Sequence, residues 1–201
     1  YTIKVLKHKR QSLLAFFAGV LIGICDIVLL KVEDIYISSL LFSLALAVII
    51  KKGLPLYTGL IGSKIKRAKT NPGMQKYLVQ ILVSNWLGCL TTFFLVLFVQ
   101  PKHFFILVLG KAALKFSFSP FYILVSSLFC GICVHTAVNL KDKLILILVV
   151  MTFILCDFRH CIAEVPLLLL HFDIRSLIKF LLIVLGNSAG AGFANYFLAK
   201  K

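Results

Sequence analysis

Phe153-Ile154-Leu155-Cys156-Asp157-Phe158-Arg159-His160-Cys161-Ile162-Ala163-Glu164 breaks a long apolar region with four ionisable side chains in eight residues. The chain then resumes as Val165-Pro166-Leu167-Leu168-Leu169-Leu170. Apolar sequence on both sides places this polar knot inside a membrane and not in a surface loop. Ionisable groups at that depth cost about 2.5–3.5 kcal/mol each on insertion scales, so they mark functional positions. The stretch predicts a discontinuous membrane helix, with His160 at the break and facing a pore.

Composition agrees with a membrane setting. The chain has 201 residues, 61% of them hydrophobic, and a mean hydropathy of +1.03. A soluble domain is about half apolar, so this is a polytopic membrane protein. At roughly 20 apolar residues per span there is room for about six helices. The net charge of +15 would suggest nucleic acid in a soluble chain. Here most of the basic residues flank apolar spans as topology signals, so no nucleic-acid partner is expected. No cleavable signal peptide is evident, because the basic start leads straight into a full-length span. The six cysteines lie mostly in apolar segments, which favours reduced packing residues over a disulfide framework.

Read in order, the first span covers about 12–31 and carries Gly19 and Gly23, a small-xxx-small pair. Asp26 lies within it, either as an end-of-helix residue near the interface or as a functional one. A second apolar run, about 35–50, breaks at Lys51-Lys52-Gly53-Leu54-Pro55 and resumes at Leu56-Tyr57-Thr58-Gly59. Proline removes a backbone donor and glycine loosens the helix, so this is a second interruption. Residues 64–76 read as a basic loop with a turn at Asn71-Pro72-Gly73. The third span covers about 77–100. Residues 101–115 read as a loop holding a short interfacial helix at 104–109. The remaining spans are about 119–139, 144 to the break with a half-helix to about 171, and 176–199.

With both termini in the cytoplasm, residues 4, 7, 9, 10, 64, 66, 67, 69, 76, 141, 143, 200 and 201 put positive charge inside. Only 31, 102, 111, 115, 175 and 179 fall outside, a clear positive-inside bias. The halves also echo each other. Thr58 lies 27 residues before Asn85, and His160 lies 27 residues before Asn187, each Asn opening an Asn-x-x-Gly. Three spans per half predicts an inverted repeat, about 12–100 and 119–199, with paired broken helices.

At these residues the chain resembles the formate/nitrite transporter family. The family's second-helix pattern matches Phe42-Ser43-Leu44 through Gly53 to Leu56-Tyr57-Thr58. Its fourth-helix Cys-Asn-x-x-Val matches Cys130-Gly131-Ile132-Cys133-Val134. Its fifth-helix Gly-Phe-Glu-His-Ser-x-Ala-Asn matches Asp157 to Glu164, and its sixth-helix Leu-Gly-Asn-x-x-Gly matches Leu185 to Gly190. The resemblance implies an all-α, aquaporin-like membrane domain of six helices with the second and fifth broken, assembled as a homopentamer with one pore per protomer. It implies no cofactor and no resident metal.

Carried over by position, His160 is the central pore histidine, Thr58 the threonine of the opposing break, and Asn187 the sixth-helix asparagine. Lys115 matches a lysine that raises the positive potential near the centre. Phe42 and Leu46 would line one constriction and Phe153 the other. The departures are Gly131 for the helix-four asparagine, and Asp157, Arg159 and Glu164 for glycine, glutamate and asparagine. Gly131 removes one polar pore-lining group, while Arg159 joins Lys115 as a cation at the vestibule. The function implied is a plasma (inner) membrane channel or transporter for small monovalent weak-acid anions such as formate, nitrite or hydrosulfide, and not an enzyme.

Three other readings compete. One is a non-conducting or sensing homologue of the same fold. A second is a soft-metal site from Cys130, Cys133, His135, Cys156, His160 and Cys161. The third is a membrane enzyme using Cys161 beside His160.

Overall fold

The structure, a computed structural model, describes residues 2–139 and 142–198, with side chains from residue 9 onward. Lys4, Lys7, Lys141, Lys200 and Lys201 of the orientation argument lie outside the described side chains. All regular structure in the described residues is helical: α1 (Thr2–Lys31), α2 (Ile35–Lys51), α3 (Tyr57–Thr70), α4 (Pro72–Phe98), α5 (Lys102–Ser117), α6 (Pro120–Asn139), α7 (Lys143–Leu155), α8 (Val165–Leu170) and α9 (Ile174–Leu198). In a bilayer only helices and closed barrels satisfy their own backbone, and the unbroken apolar runs permit only helices here. Four are long and apolar enough to cross a membrane: Lys9–Lys31, Pro72–Phe98, Pro120–Asn139 and Ile174–Leu198. The apolar helices α2 and α7 are shorter, at 17 and 13 residues.

Two long pairs, α1 with α4 and α6 with α9, form the frame. Glycine makes both crossings possible. A Cβ on Gly19 would fall on the Asn85 carbonyl oxygen, and one on Gly88 on that of Phe16. In the other pair, Gly131 meets Asn187 and Gly190 meets Leu128 in the same way. Dispersion between closely approaching backbones holds such pairs in lipid, where no hydrophobic effect draws helices together.

The helix starts repeat between the halves. Asp34 caps α2 by accepting from Tyr36 N at 2.8 Å and Ile37 N at 2.9 Å. Asp142 does the same for α7 with Leu144 N at 2.8 Å and Ile145 N at 3.1 Å. Asn71 caps α4 through Met74 N, and Asp173 accepts from Ser176 N at the start of α9. That backbone donor holds the Asp173 carboxyl below the usual carboxylate range.

The ends of α2 and α7 also match. Leu54 N donates to Ile49 O and Gly53 N to Ile50 O, while Phe158 N donates to Phe153 O and Asp157 N to Ile154 O. These are the paired bonds of a Schellman stop, which needs a left-handed residue just past the helix. Gly53 (φ 62°) and Asp157 (φ 51°) fill that place. Aspartate is among the few non-glycine residues that tolerate this region, so Asp157 keeps the turn where the resembled pattern has glycine.

Two expectations are corrected. The basic stretch 64–69 is helical, because Lys and Arg are good helix formers and α3 carries them on an exposed face. Residues 102–117 form one 16-residue helix in place of a loop with a helix at 104–109. Its buried stripe is Phe104, Val108, Ala112 and Phe116, one residue per turn.

Candidate functional site

The non-helical segments after α2 and α7 are held in place by two asparagines. Asn85 Oδ1 accepts from Tyr57 N at 3.0 Å, while its Nδ2 donates to Pro55 O at 3.0 Å and Ala15 O at 2.7 Å. Asn187 Oδ1 accepts from Cys161 N at 2.9 Å, and its Nδ2 donates to Arg159 O and Ser127 O, both at 2.8 Å. Both asparagines are fully buried. Backbone groups freed by a broken helix would otherwise lie unpaired in a low-dielectric interior, at about 1–3 kcal/mol each. Asn187 is therefore a staple behind the break, with no free donor to offer a passing anion. The bonds also correct the repeat register. Tyr57 lies 28 residues before Asn85 and Cys161 26 before Asn187, so Thr58 and His160 are not equivalent positions.

Those two residues instead meet. Thr58 Oγ1 lies 3.2 Å from His160 Nε2, and both side chains are buried. His160 packs beside Phe153 with ring centroids 6.2 Å apart, and Phe153 meets Phe42 edge to face at 5.9 Å. Phe42 and Phe153 thus form one aromatic barrier from α2 and α7. The sequence assigned them to two separate constrictions, and here the two rings are in contact. Leu46, one turn on from Phe42, is buried as well.

A cavity of about 190 Å³ opens beside this barrier, lined by Phe42, Phe153, His160, Asp26, Lys111, Lys115, Asp157 and Glu164 among others. A second, of about 250 Å³, lies at the first break, with Ile49, Ile50, Gly53, Leu54, Leu56, Gly59, Leu60 and Val138 in its wall. Ile49 and Phe153, Ile50 and Ile154, Gly53 and Asp157, Leu54 and Phe158, Leu56 and His160, Gly59 and Ala163, and Leu60 and Glu164 are paired at one constant spacing. The two cavities are built from corresponding positions. One holds charged side chains, and the other holds none, its polar side chains being Gln11 and Tyr77.

In the charged cavity the cations are compensated. The Lys115 ammonium rests on Asp157 and lies 3.9 Å from Glu164. Arg159 is fully buried, with Nε 3.1 Å from Glu164 Oε1 and Nη1 3.9 Å from Asp157 Oδ2. Its Nη2 donates to the Lys115 carbonyl, and its guanidinium lies 5.9 Å from the Phe118 ring centroid. Two cations and two carboxylates therefore cancel, and the network ties α5 to the second break. The sequence placed Lys115 and Arg159 at the vestibule as cations, and both stand against carboxylates here. A pairing of Arg159 with Asp157 or Glu164 could be read from the sequence, whereas nothing local links either carboxylate to position 115.

His135, named from the sequence only as a candidate soft-metal ligand, has another place here. It is buried on α6, with Nδ1 3.2 Å from Gly59 O and Nε2 3.3 Å from Asn139 Nδ2. A carbonyl only accepts, so Nδ1 carries the proton and Nε2 accepts from the amide. Gly131 is a crossing glycine, and His135, one turn further on, is the polar group that α6 brings to the first break.

The rival chemistries find little here. Among the described residues no group of three or more His, Cys, Asp or Glu side chains is placed to hold a metal ion. Cys161 is buried, and the Nε2 of His160 is directed to Thr58.

The fold and site define an integral membrane protein whose long helices enclose a buried histidine on the wall of a charged cavity. The profile of the formate/nitrite transporter family matches residues 3–200, and the chain belongs to that family. Among solved structures it is similar to a pentameric formate channel with formate bound, at 20% identity and a TM-score of 0.72, over 96% of this chain and 95% of that one. It is similar also to an FNT family ion channel, at 17% identity and a TM-score of 0.73, over 99% of each chain. No curated protein sequence matches it.

Proposed function

We propose that the chain is a membrane channel or transporter for small monovalent weak-acid anions, with His160 and Thr58 at its centre. The observation that carries this reading is the Thr58–His160 approach at 3.2 Å, made by two broken segments directly beneath the Phe42–Phe153 pair. Each interrupted helix, α2 with α3 and α7 with α8, counts as one crossing. Together with the four long helices they give six crossings and an inverted repeat. The matched staples, stops and cavities of the two halves support that topology, and broken helices at the centre are where such folds bind their substrate. Both termini then lie in the cytoplasm of a cell bounded by the plasma (inner) membrane. The assembly is a homopentamer with a pore in each protomer, a reading supported by the pentameric formate channel of the same fold.

An anion cannot pass the aromatic pair without losing its hydration, which is costly in low dielectric. Protonation of a weak-acid anion removes that cost. His160 donates a hydrogen bond or a proton to the anion as it arrives, and Thr58 supplies a second donor. Lys111, exposed on α5 at the cavity wall, draws anions toward the mouth. The mechanism is conduction, with no bond in the substrate other than O–H or S–H made or broken.

The test is uptake by vesicles carrying the purified protein, using formate, nitrite, hydrosulfide and acetate at external pH 5 to 8. The expected result is uptake of at least one above protein-free vesicles, rising as the pH falls. No uptake of any of the four at any pH would leave the non-conducting homologue as the function.

A further inference from the structure

We infer that Asp26 is a proton relay residue that returns to His160 the proton given to the substrate. The inference rests on the weak-acid reading above. Asp26 stands on α1, is 8% exposed, and lines the same cavity of about 190 Å³ as His160, Phe42 and Phe153. Among the described residues its one hydrogen bond comes from Cys89 Sγ at 3.4 Å, a weak donor. Among the described residues no ion pair involves Asp26, whereas Asp157 and Glu164 are held by Lys115 and Arg159. Asp26 is thus the one carboxyl on this cavity not committed to a cation. The other cavity presents Val138 from α6 at the corresponding place, so the carboxyl belongs to this half alone. A buried carboxyl on a membrane helix with no cation paired to it marks a functional position.

The groups facing Asp26 come from each neighbouring element. They are Cys25 on α1, Cys89 on α4, Lys115 on α5 and Glu164 after the second break; Lys111, Asp157 and His160 share the cavity wall, and Arg159 stands against Glu164. From α2 only Ile35 and Phe42 reach the cavity wall. The cavity is wide enough for several waters at about 30 Å³ each. In the relay, the His160 imidazolium gives a ring proton to the substrate oxygen, leaving neutral imidazole and neutral acid. The Asp26 carboxylic acid O–H then breaks. Its proton passes through cavity water to the imidazole, and the bonding pair stays on Asp26 as carboxylate. A hydronium ion from bulk water restores the acid. One proton moves with each anion.

The experiment uses the full chain in vesicles, with formate as probe, an internal pH indicator and protein-free vesicles as baseline. For Asp26→Asn, formate influx and the accompanying acidification fall about tenfold or more at pH 7.5. This lies at or below the low end of the 10²–10⁴-fold effect of a positioned proton donor. The gap closes to about twofold at pH 5, where hydronium reaches His160 without help. Asp26→Glu restores most of the rate. Cys89→Ser, a stronger donor to the carboxylate, moves the midpoint of the pH profile to lower pH. An Asp26→Asn profile that superimposes on the parent's, or that falls by one factor at every pH, overturns the relay. Should Asp26→Asn fail to assemble, an unmoved midpoint in Cys89→Ser overturns it and a lowered midpoint supports it. A parent protein that carries no formate or other weak acid defeats the channel reading itself, whereas formate flux indifferent to Asp26 defeats only the relay.

Discussion

The two breaks share a backbone and differ in chemistry. Gly53 and Asp157 end their helices with the same left-handed turn, and Asn85 and Asn187 hold the following segments with the same three bonds. Yet Leu56, Gly59 and Leu60 line one cavity where His160, Ala163 and Glu164 line the other. The stapled break is a scaffold that both halves need. The side chains set on it decide what it does. Corresponding backbone positions therefore carry charged side chains in one cavity and none in the other.

The largest effect expected from breaking this comparison lies in the charged half. Glu164→Gln removes the carboxylate 3.1 Å from Arg159, whose side chain is fully buried. Stripping the partner from a buried charge costs roughly 3–5 kcal/mol. Thermal unfolding in detergent should show a clear loss for Glu164→Gln and a small one for Leu60→Gln, where no buried cation waits. Similar losses at both positions would mean that Arg159 draws its compensation elsewhere.

A somewhat smaller effect tests the shared scaffold. Asn85→Leu and Asn187→Leu each orphan one buried N–H and two carbonyls, and one unsatisfied group costs about 1–3 kcal/mol. The two variants should lose stability by similar amounts, measured by the same unfolding assay. A large loss in one half beside a negligible loss in the other would show that the staples do not share one role.

How far these features could be read from the chain follows from their range. Apolar runs of span length, the Gly53–Pro55 interruption and the polar knot at 157–164 are local, so the helical membrane fold and the ends of α2 and α7 were legible. Helix α5 was obscured because Lys102, Lys111 and Lys115 interrupt its apolar residues. The four-residue spacing from Phe104 to Phe116 was the signal that could have found it. The ion network joins position 115 to 157, 159 and 164, and no local pattern announces a pairing across that distance. The equal spacings of 27 misled for a related reason. Spacing alone does not say which residue an asparagine holds, and the bonds fall on Tyr57 and Cys161. The contact of Phe42 with Phe153 likewise depends on how α2 and α7 face each other.

The central claim is that His160 is the titrating group of a weak-acid path and not a structural histidine bonded to Thr58. It is tested most directly by formate uptake into vesicles from pH 5 to 8, comparing the parent with His160→Asn. An amide keeps the hydrogen bond to Thr58 but cannot titrate. The parent should show uptake that rises as pH falls, and His160→Asn should assemble as the parent does while its profile is flat. A His160→Asn protein that keeps the parent's full pH dependence would contradict the account.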